Sequence, residues 1–115
     1  MSNQEYTIDT QVLFINADNL IRWDKAKNKR TDEYINSGSG SWVLKDSDDD
    51  ETEIATGTMT YMTGTNGRWH GIIDKDDVLP ADISLGRTYY IEITLTGPSD
   101  EDGFKRIECI AAYDD

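Results

Sequence analysis

The chain predicts an all-β fold, an antiparallel sandwich of seven or eight strands in one domain. Three observations carry that expectation. Short alternations of apolar and polar residues recur along the whole length, with turn residues between them. No segment has the 3.6-residue period or the length of a helix; a single turn near Asp32–Ile35 or Val78–Ile83 is the most that the pattern allows. The stretch Ile83–Leu95, ISLGRTYYIEITL, joins a turn at Gly86 to a strand with Tyr89, Ile91, Ile93 and Leu95 on one face. Tyr90, Glu92, Thr94 and Thr96 fall on the other face, which is the pattern of a half-buried strand.

Taken in order, the first strand is Thr10 to Ile15, closed by the turn residues Asn16, Asp18 and Asn19. Leu20 to Trp23 is short enough to pair back on it as a hairpin. A polar, basic loop, DKAKNKRTDEY, leads to a short strand near Tyr34 and Ile35. The stretch NSGSGS supplies a bend or bulge before the strand Ser41 to Lys45. The acidic run Asp46 to Glu53 reads as a loop, because such charge sits poorly inside a sheet. Ile54 to Met62 is the next strand, with Met59 and Tyr61 on one face. Gly64 to Gly67, GTNG, predicts a tight hairpin turn into Arg68–Ile73, where Trp69, Gly71 and Ile73 share a face. DKDD and Leu79-Pro80 connect to the corner at Gly86. The last strands are Tyr89 to Thr96 and Phe104 to Tyr113, joined by GPSDEDG.

The 115 residues match one domain, divided here into a polar arm over residues 1–9 and a sandwich over residues 10–115. A sandwich tolerates the low apolar fraction of 37% because only alternate residues of each strand need be buried. The formal charge of −12 opposes a nucleic-acid partner or an anionic membrane, whose affinity comes from Lys and Arg. It favours solubility and contact with basic surfaces or cations. The N-terminus shows no basic segment followed by an apolar one, so a soluble product made in the cytoplasm is expected.

Chemistry-bearing residues are few. Asp46, Asp48 and Asp50 alternate as the first ligands of a calcium loop do. Counted from Asp46, however, the glycine and glutamate positions of that loop hold Glu51 and Gly57, so a solvated loop is the expectation and no metal is assigned. His70 is the one histidine and Cys109 the one cysteine, without zinc-ligand spacing. Cys109 lies in the strand pattern RIECIAAY and reads as a small buried hydrophobe rather than a nucleophile. No nucleophile sits on a strand-to-helix turn and no phosphate-cradling loop is present, so no catalytic residue, enzyme activity or cofactor is expected. Trp42 and Trp69 read as core between two sheets. Trp23, with Arg22 and Lys25 beside it, either closes the end of the sandwich or offers a protein contact. Tyr6 and Ile8 are the apolar points of the arm, suited to ordering on assembly.

Ile83, Leu85, Gly86, Thr88 and Tyr89 resemble the corner before the sixth strand of immunoglobulin-like and fibronectin type III-like domains. The resemblance implies an immunoglobulin-like sandwich in which the Tyr89 hydroxyl bonds back to the corner. Leu85 replaces the usual proline, and the cysteine pair of antibody domains is absent. More widely, Ser41–Asp46, Gly57–Ile73 and Leu85–Ile93 are similar to small stand-alone immunoglobulin-like proteins of tailed-phage virion gene clusters. That resemblance implies a non-catalytic structural or accessory virion protein of head, neck or tail. It would bind other virion proteins, as a homo-oligomer within the assembly. The alternative is a carbohydrate- or cell-surface-binding module, with exposed aromatics stacking on sugar rings and calcium in the acidic loop.

Overall fold

A computed structural model describes residues 9–28, 30–46, 49–97 and 102–113, with backbone only at 9, 49–51 and 102. The described residues form nine strands and one short 3-10 turn. The strands are β1 (Asp9–Phe14), β2 (Asn19–Trp23), β3 (Lys27–Asn28), β4 (Glu33–Tyr34), β5 (Ser39–Asp46), β6 (Asp49–Tyr61), β7 (Trp69–Ile73), β8 (Thr88–Thr96) and β9 (Asp102–Ala112). Seven of them run in the order β1-β9-β8-β5-β6-β7-β2, and β3 pairs with β4 as a separate ribbon.

The long strand β6 holds this arrangement together. Its first part pairs with β5, and its last residues, Thr60 and Tyr61, pair with His70 and Trp69 of β7. It thereby belongs to both layers, β1-β9-β8-β5-β6 on one side and β6-β7-β2 on the other. Alternate residues of each strand enter a single core between the layers. Trp42 and Leu44 come from β5, Tyr89, Ile91, Ile93 and Leu95 from β8, and Ile107, Cys109 and Ala111 from β9. Leu13, Ile21, Trp69 and Ile73 complete it from β1, β2 and β7.

The corner forms as the sequence implies. Gly86 adopts φ +80°, a left-handed conformation that a side chain would strain. The Tyr89 hydroxyl accepts a hydrogen bond from the Ser84 amide at 2.8 Å, fastening the turn to the strand it introduces. Leu85, where a proline is common, is exposed and leaves the bond intact. With this corner and a β1 strand lying beside the last strand, the fold is an immunoglobulin-like sandwich.

Three expectations are corrected. The sandwich is not wholly antiparallel, because β1 runs parallel to β9, from Asp9 opposite Ile107 to Phe14 opposite Ala112. Nor do β1 and β2 form a hairpin, since β2 pairs with β7 in the other layer. The chain crosses between layers at Ile15–Asp18, and the buried Asn19 side chain substitutes for the missing ladder. Its Oδ1 accepts from the Phe14 amide at 2.8 Å, and its Nδ2 donates to the Phe14 carbonyl at 2.9 Å. Finally, most of the acidic run is strand rather than loop: β5 continues to Asp46 and β6 starts at Asp49, with register shifts around Lys45. Charge is tolerated there because only one side of this end of β6 faces a neighbouring strand.

The Gly64–Gly67 turn does join β6 to β7, through residues 62–68. Gly67 is held by the neighbouring loop: its carbonyl accepts from Ala26 and its amide donates to Asn36 Oδ1. A Cβ at Gly67 would stand 2.5 Å from the Ala26 nitrogen, so glycine is required by contact as well as by its φ of +73°.

Candidate functional site

The residues singled out in the sequence divide among different surroundings. Tyr6, Ile8 and Asp48 lie outside the described residues. Asp46 is engaged by Arg87, whose Nη2 and Nε approach its Oδ1 at 2.9 and 3.1 Å. Asp50 lies in β6, described by its backbone. Among the described residues, no cluster of three or more His, Cys, Asp or Glu is placed to hold a metal ion.

Arg22, Trp23 and Lys25 occupy one end of the sandwich. Arg22 Nε bonds both oxygens of Asp24, at 3.0 and 3.1 Å, and Arg68 Nε reaches the same carboxylate at 2.9 Å. The hydrogen bond from Arg22, opposed by desolvation and joined by the hydrogen bond from Arg68, holds the Asp24 carboxyl below its usual range. Trp23 is half-buried against the core. A Cβ at Gly103 would lie 3.2 Å from its ring, and the Lys105 ammonium stands 5.5 Å from the ring centre. Trp23 therefore reaches from one layer to the other and covers the end of the core. Lys25 is exposed at φ +59°.

Trp69 is interior. Its indole N–H donates to the Ile35 carbonyl at 2.9 Å, while Ile35 donates to Ala26, so the loop before β5 is pinned to the core. The Tyr61 ring packs on Trp69 at 5.7 Å between centres. Cys109 is buried, and loss of water, with a smaller effect from Glu108, pushes its thiol up to about 12. A thiol so placed stays protonated and is no nucleophile at neutral pH.

Two further features did not stand out in the sequence. The first is a pair of apolar cross-strand contacts that point outward. Val12 and Ile110 face each other across β1 and β9, 44% and 54% exposed. Leu20 and Ile72 do so across β2 and β7, 55% and 62% exposed. Shallow grooves run from Ile110 past Val12 and from Val12 to Leu20, so the two pairs flank one corner of the sandwich. Elsewhere the outer face of the large sheet carries Phe104 of β9, also exposed, and a cluster of mutually matched polar groups. Lys45 meets Glu92 at 3.0 Å, Arg106 meets Glu92 at 3.5 Å, and the Arg106 guanidinium stacks 3.8 Å from the Tyr90 ring centre. The available signal was a break in alternation, since Val12-Leu13, Leu20-Ile21 and Ile72-Ile73 are apolar on both faces of their strands.

The second feature is a cleft of about 500 Å³ where β6 and β7 part. Its lining includes Trp42, Thr56, Thr58, His70, Ile72 and Asp74. Trp42 is 2% exposed, yet its Nε1 and the buried His70 Nε2 have no hydrogen-bond partner. Gly57 and Gly71 flank the indole: a Cβ at Gly57 would meet Nε1 at 2.5 Å, and one at Gly71 would meet Cδ1 at 3.1 Å. The two glycines thus make room for the indole, which their backbones cover.

The fold and these surfaces define an immunoglobulin-like β-sandwich with apolar outward pairs and a cleft between strands. No family model matches the chain, and no curated protein matches it. Among solved structures it is similar to the crystal structure of the Group B Streptococcus pullulanase SAP. The identity is 12% and the TM-score 0.49, over 91% of this chain and 11% of that one.

Proposed function

We propose that this protein is a non-catalytic structural or accessory component of a phage virion, binding other virion proteins through its outer surface. The observation that carries the reading is the pairing of exposed apolar side chains, Val12 with Ile110 and Leu20 with Ile72, around one corner. Single exposed apolar residues are ordinary, whereas adjacent pairs bounded by polar surface are a feature of protein contacts. The three segments that resemble virion proteins supply part of the core of this sandwich: Trp42 and Leu44, Met59, Trp69 and Ile73, and Tyr89, Ile91 and Ile93. A rigid sandwich with a corner for docking suits a spacer or decoration.

The carbohydrate-binding alternative needs two exposed, coplanar rings. Trp42 and Trp69 are interior and Trp23 is half-covered, and the exposed rings Tyr34, Phe104 and Tyr113 lie on β4, on β9 and after β9, so no pair of exposed tryptophans supports that alternative. The test is quantitative mass spectrometry and immunogold labelling of particles purified from cells that express the chain. A fixed copy number per particle is expected; particles that lack the chain would remove the virion reading.

A further inference from the structure

We infer that the open edge of β1 pairs with the same edge of a second copy of this chain, as antiparallel strands around a two-fold axis. The inference names the partner of the β1–β9 corner described above and rests on that protein-binding reading.

The edge is free by geometry. β1 is hydrogen-bonded to β9 on one side only. Backbone groups of successive residues point to opposite sides of a strand. Ile15 donates to the Ala112 carbonyl, so Gln11 and Leu13 also face β9. Phe14 faces the other way, where Asn19 takes both of its backbone groups. Thr10 and Val12 share that outward direction, and no strand among the described residues pairs with their amides and carbonyls.

Sheets protect such edges with charge, proline or bulges. The other open edges follow that rule. β2 carries Arg22, the β3–β4 ribbon carries Lys27 and Glu33, and four of residues 49–53 in β6 are acidic. β1 does not. Residues 10–17, TQVLFINA, hold no charge and no proline, and the register from Asp9 to Phe14 contains no bulge. Such an edge is a template for another strand.

The free groups match themselves. With Thr10 opposite Val12 of the second copy, each of the two pairs exchanges two hydrogen bonds, and every outward group is used. Gln11 then meets its counterpart on the axis, as an isologous contact requires. On the outer face the two Val12 side chains lie diagonally, roughly 7–8 Å apart. They join the exposed Val12–Ile110 pairs of both copies into one apolar strip.

Charge also suits a second copy. The strand and the strip are neutral, and an identical edge is equally neutral. The Asp9 positions of the two copies stand four residues apart along the ladder, roughly 14 Å, beyond the screening length of about 8 Å at physiological salt. What opposes pairing is the net charge of −12 on each chain, so added salt strengthens it. The contact is smaller than the roughly 800 Å² per partner of a standard interface, so it is weak in solution and fills at the concentrations of an assembly.

The test is sedimentation of the full chain from about 10 μM to about 1 mM, in low salt and in about 0.5 M sodium chloride, with amide exchange followed in parallel. A monomer–dimer equilibrium is expected, tightened at least about threefold by the salt. Exchange at the Thr10 and Val12 amides should slow about tenfold or more as concentration rises, while Gln11 and Leu13, already bonded to β9, stay unchanged. Gln11→Cys should cross-link into a covalent dimer in a glutathione redox couple, since the α-carbons of such a pair stand about 4.5 Å apart. Thr94→Cys, exposed on β8 away from this edge, should stay monomeric, and the buried Cys109 takes no part.

The inference is overturned by a chain that stays monomeric at about 1 mM in both salts, or by a dimer that salt dissolves, which would make the contact a charged one elsewhere. A dimer that leaves Thr10 and Val12 exchange unchanged, or equal cross-linking of the two cysteine variants, overturns it as well. Particle incorporation is read separately. A strictly monomeric chain found in particles removes strand pairing and leaves the virion reading standing; a strand-paired dimer absent from particles does the reverse.

Discussion

At Tyr89 one hydroxyl fastens a turn to the strand that follows it. The bond from the Ser84 amide, 2.8 Å long, lies beside a fully packed ring. Tyr89→Phe keeps the ring and leaves the Ser84 amide without its acceptor, so a loss of about 1–2 kcal/mol is expected. Urea denaturation should show a lower midpoint with an unchanged slope. Gly57 works by the opposite means, through the absence of a side chain. Trp42 faces it across β5 and β6, and a Cβ there would fall within 2.5 Å of the indole. Gly57→Ala should cost about 1–3 kcal/mol as the indole is displaced, read by the same denaturation and by a shifted tryptophan emission. Asp24 adds a dependence on pH. Its folded pKa lies below the ordinary value of 3.8, so its stabilising effect is present in full above that value. It is lost as the pH falls through the folded pKa. The destabilisation caused by Asp24→Asn should therefore be seen at neutral pH and fade once the pH drops below the folded pKa, and it should be small because the carboxylate is well exposed.

Between elements, the decisive geometry is the crossing from β1 to β2. Strand periodicity made β5, β8 and β9 legible almost to their ends, because each alternates cleanly between core and solvent. It placed β1 and β2 correctly too, but their pairing could not be read from it. The partner of β1 is β9, at the far end of the chain, and no local residue pattern records so distant a register. The proximity of β1 and β2 suggested a hairpin, whereas Asn19 uses its side chain to match Phe14 while the backbone turns into the other layer. Asn19→Ala should cost about 2–3 kcal/mol, since it leaves both polar groups of Phe14 unmatched. Hydrogen exchange at Phe14 and in β1 should rise more than exchange in β8. The acidic tract is strand for a different reason: charge disfavours a central strand but protects an open edge. The interior positions of Trp42 and Trp69 were legible, yet the cleft above Trp42 was not. It depends on where β6 leaves β5 for β7, and on two glycines 14 positions apart that face the same indole.

At the scale of the whole molecule, the sandwich separates stability from contact. The core is closed by residues from both layers, and on the outer face Lys45, Glu92 and Arg106 match one another. The paired apolar side chains at the β1–β9 edge add little to that core, because each is about half exposed. Exchanging Val12 for lysine and Ile110 for glutamate places opposite charges across the strands, which preserves a favourable cross-strand pair. Folding stability is then expected to change by less than about 1 kcal/mol, as for other surface substitutions. Association is expected to respond differently, since replacing an apolar contact by a charge pair leaves both charges to be desolvated in the interface. The Val12→Lys, Ile110→Glu chain should melt close to the parent temperature but, under the virion role proposed above, fall at least about tenfold in copy number per particle. Parent-level incorporation of this well-folded variant would show that the β1–β9 edge is not the docking surface.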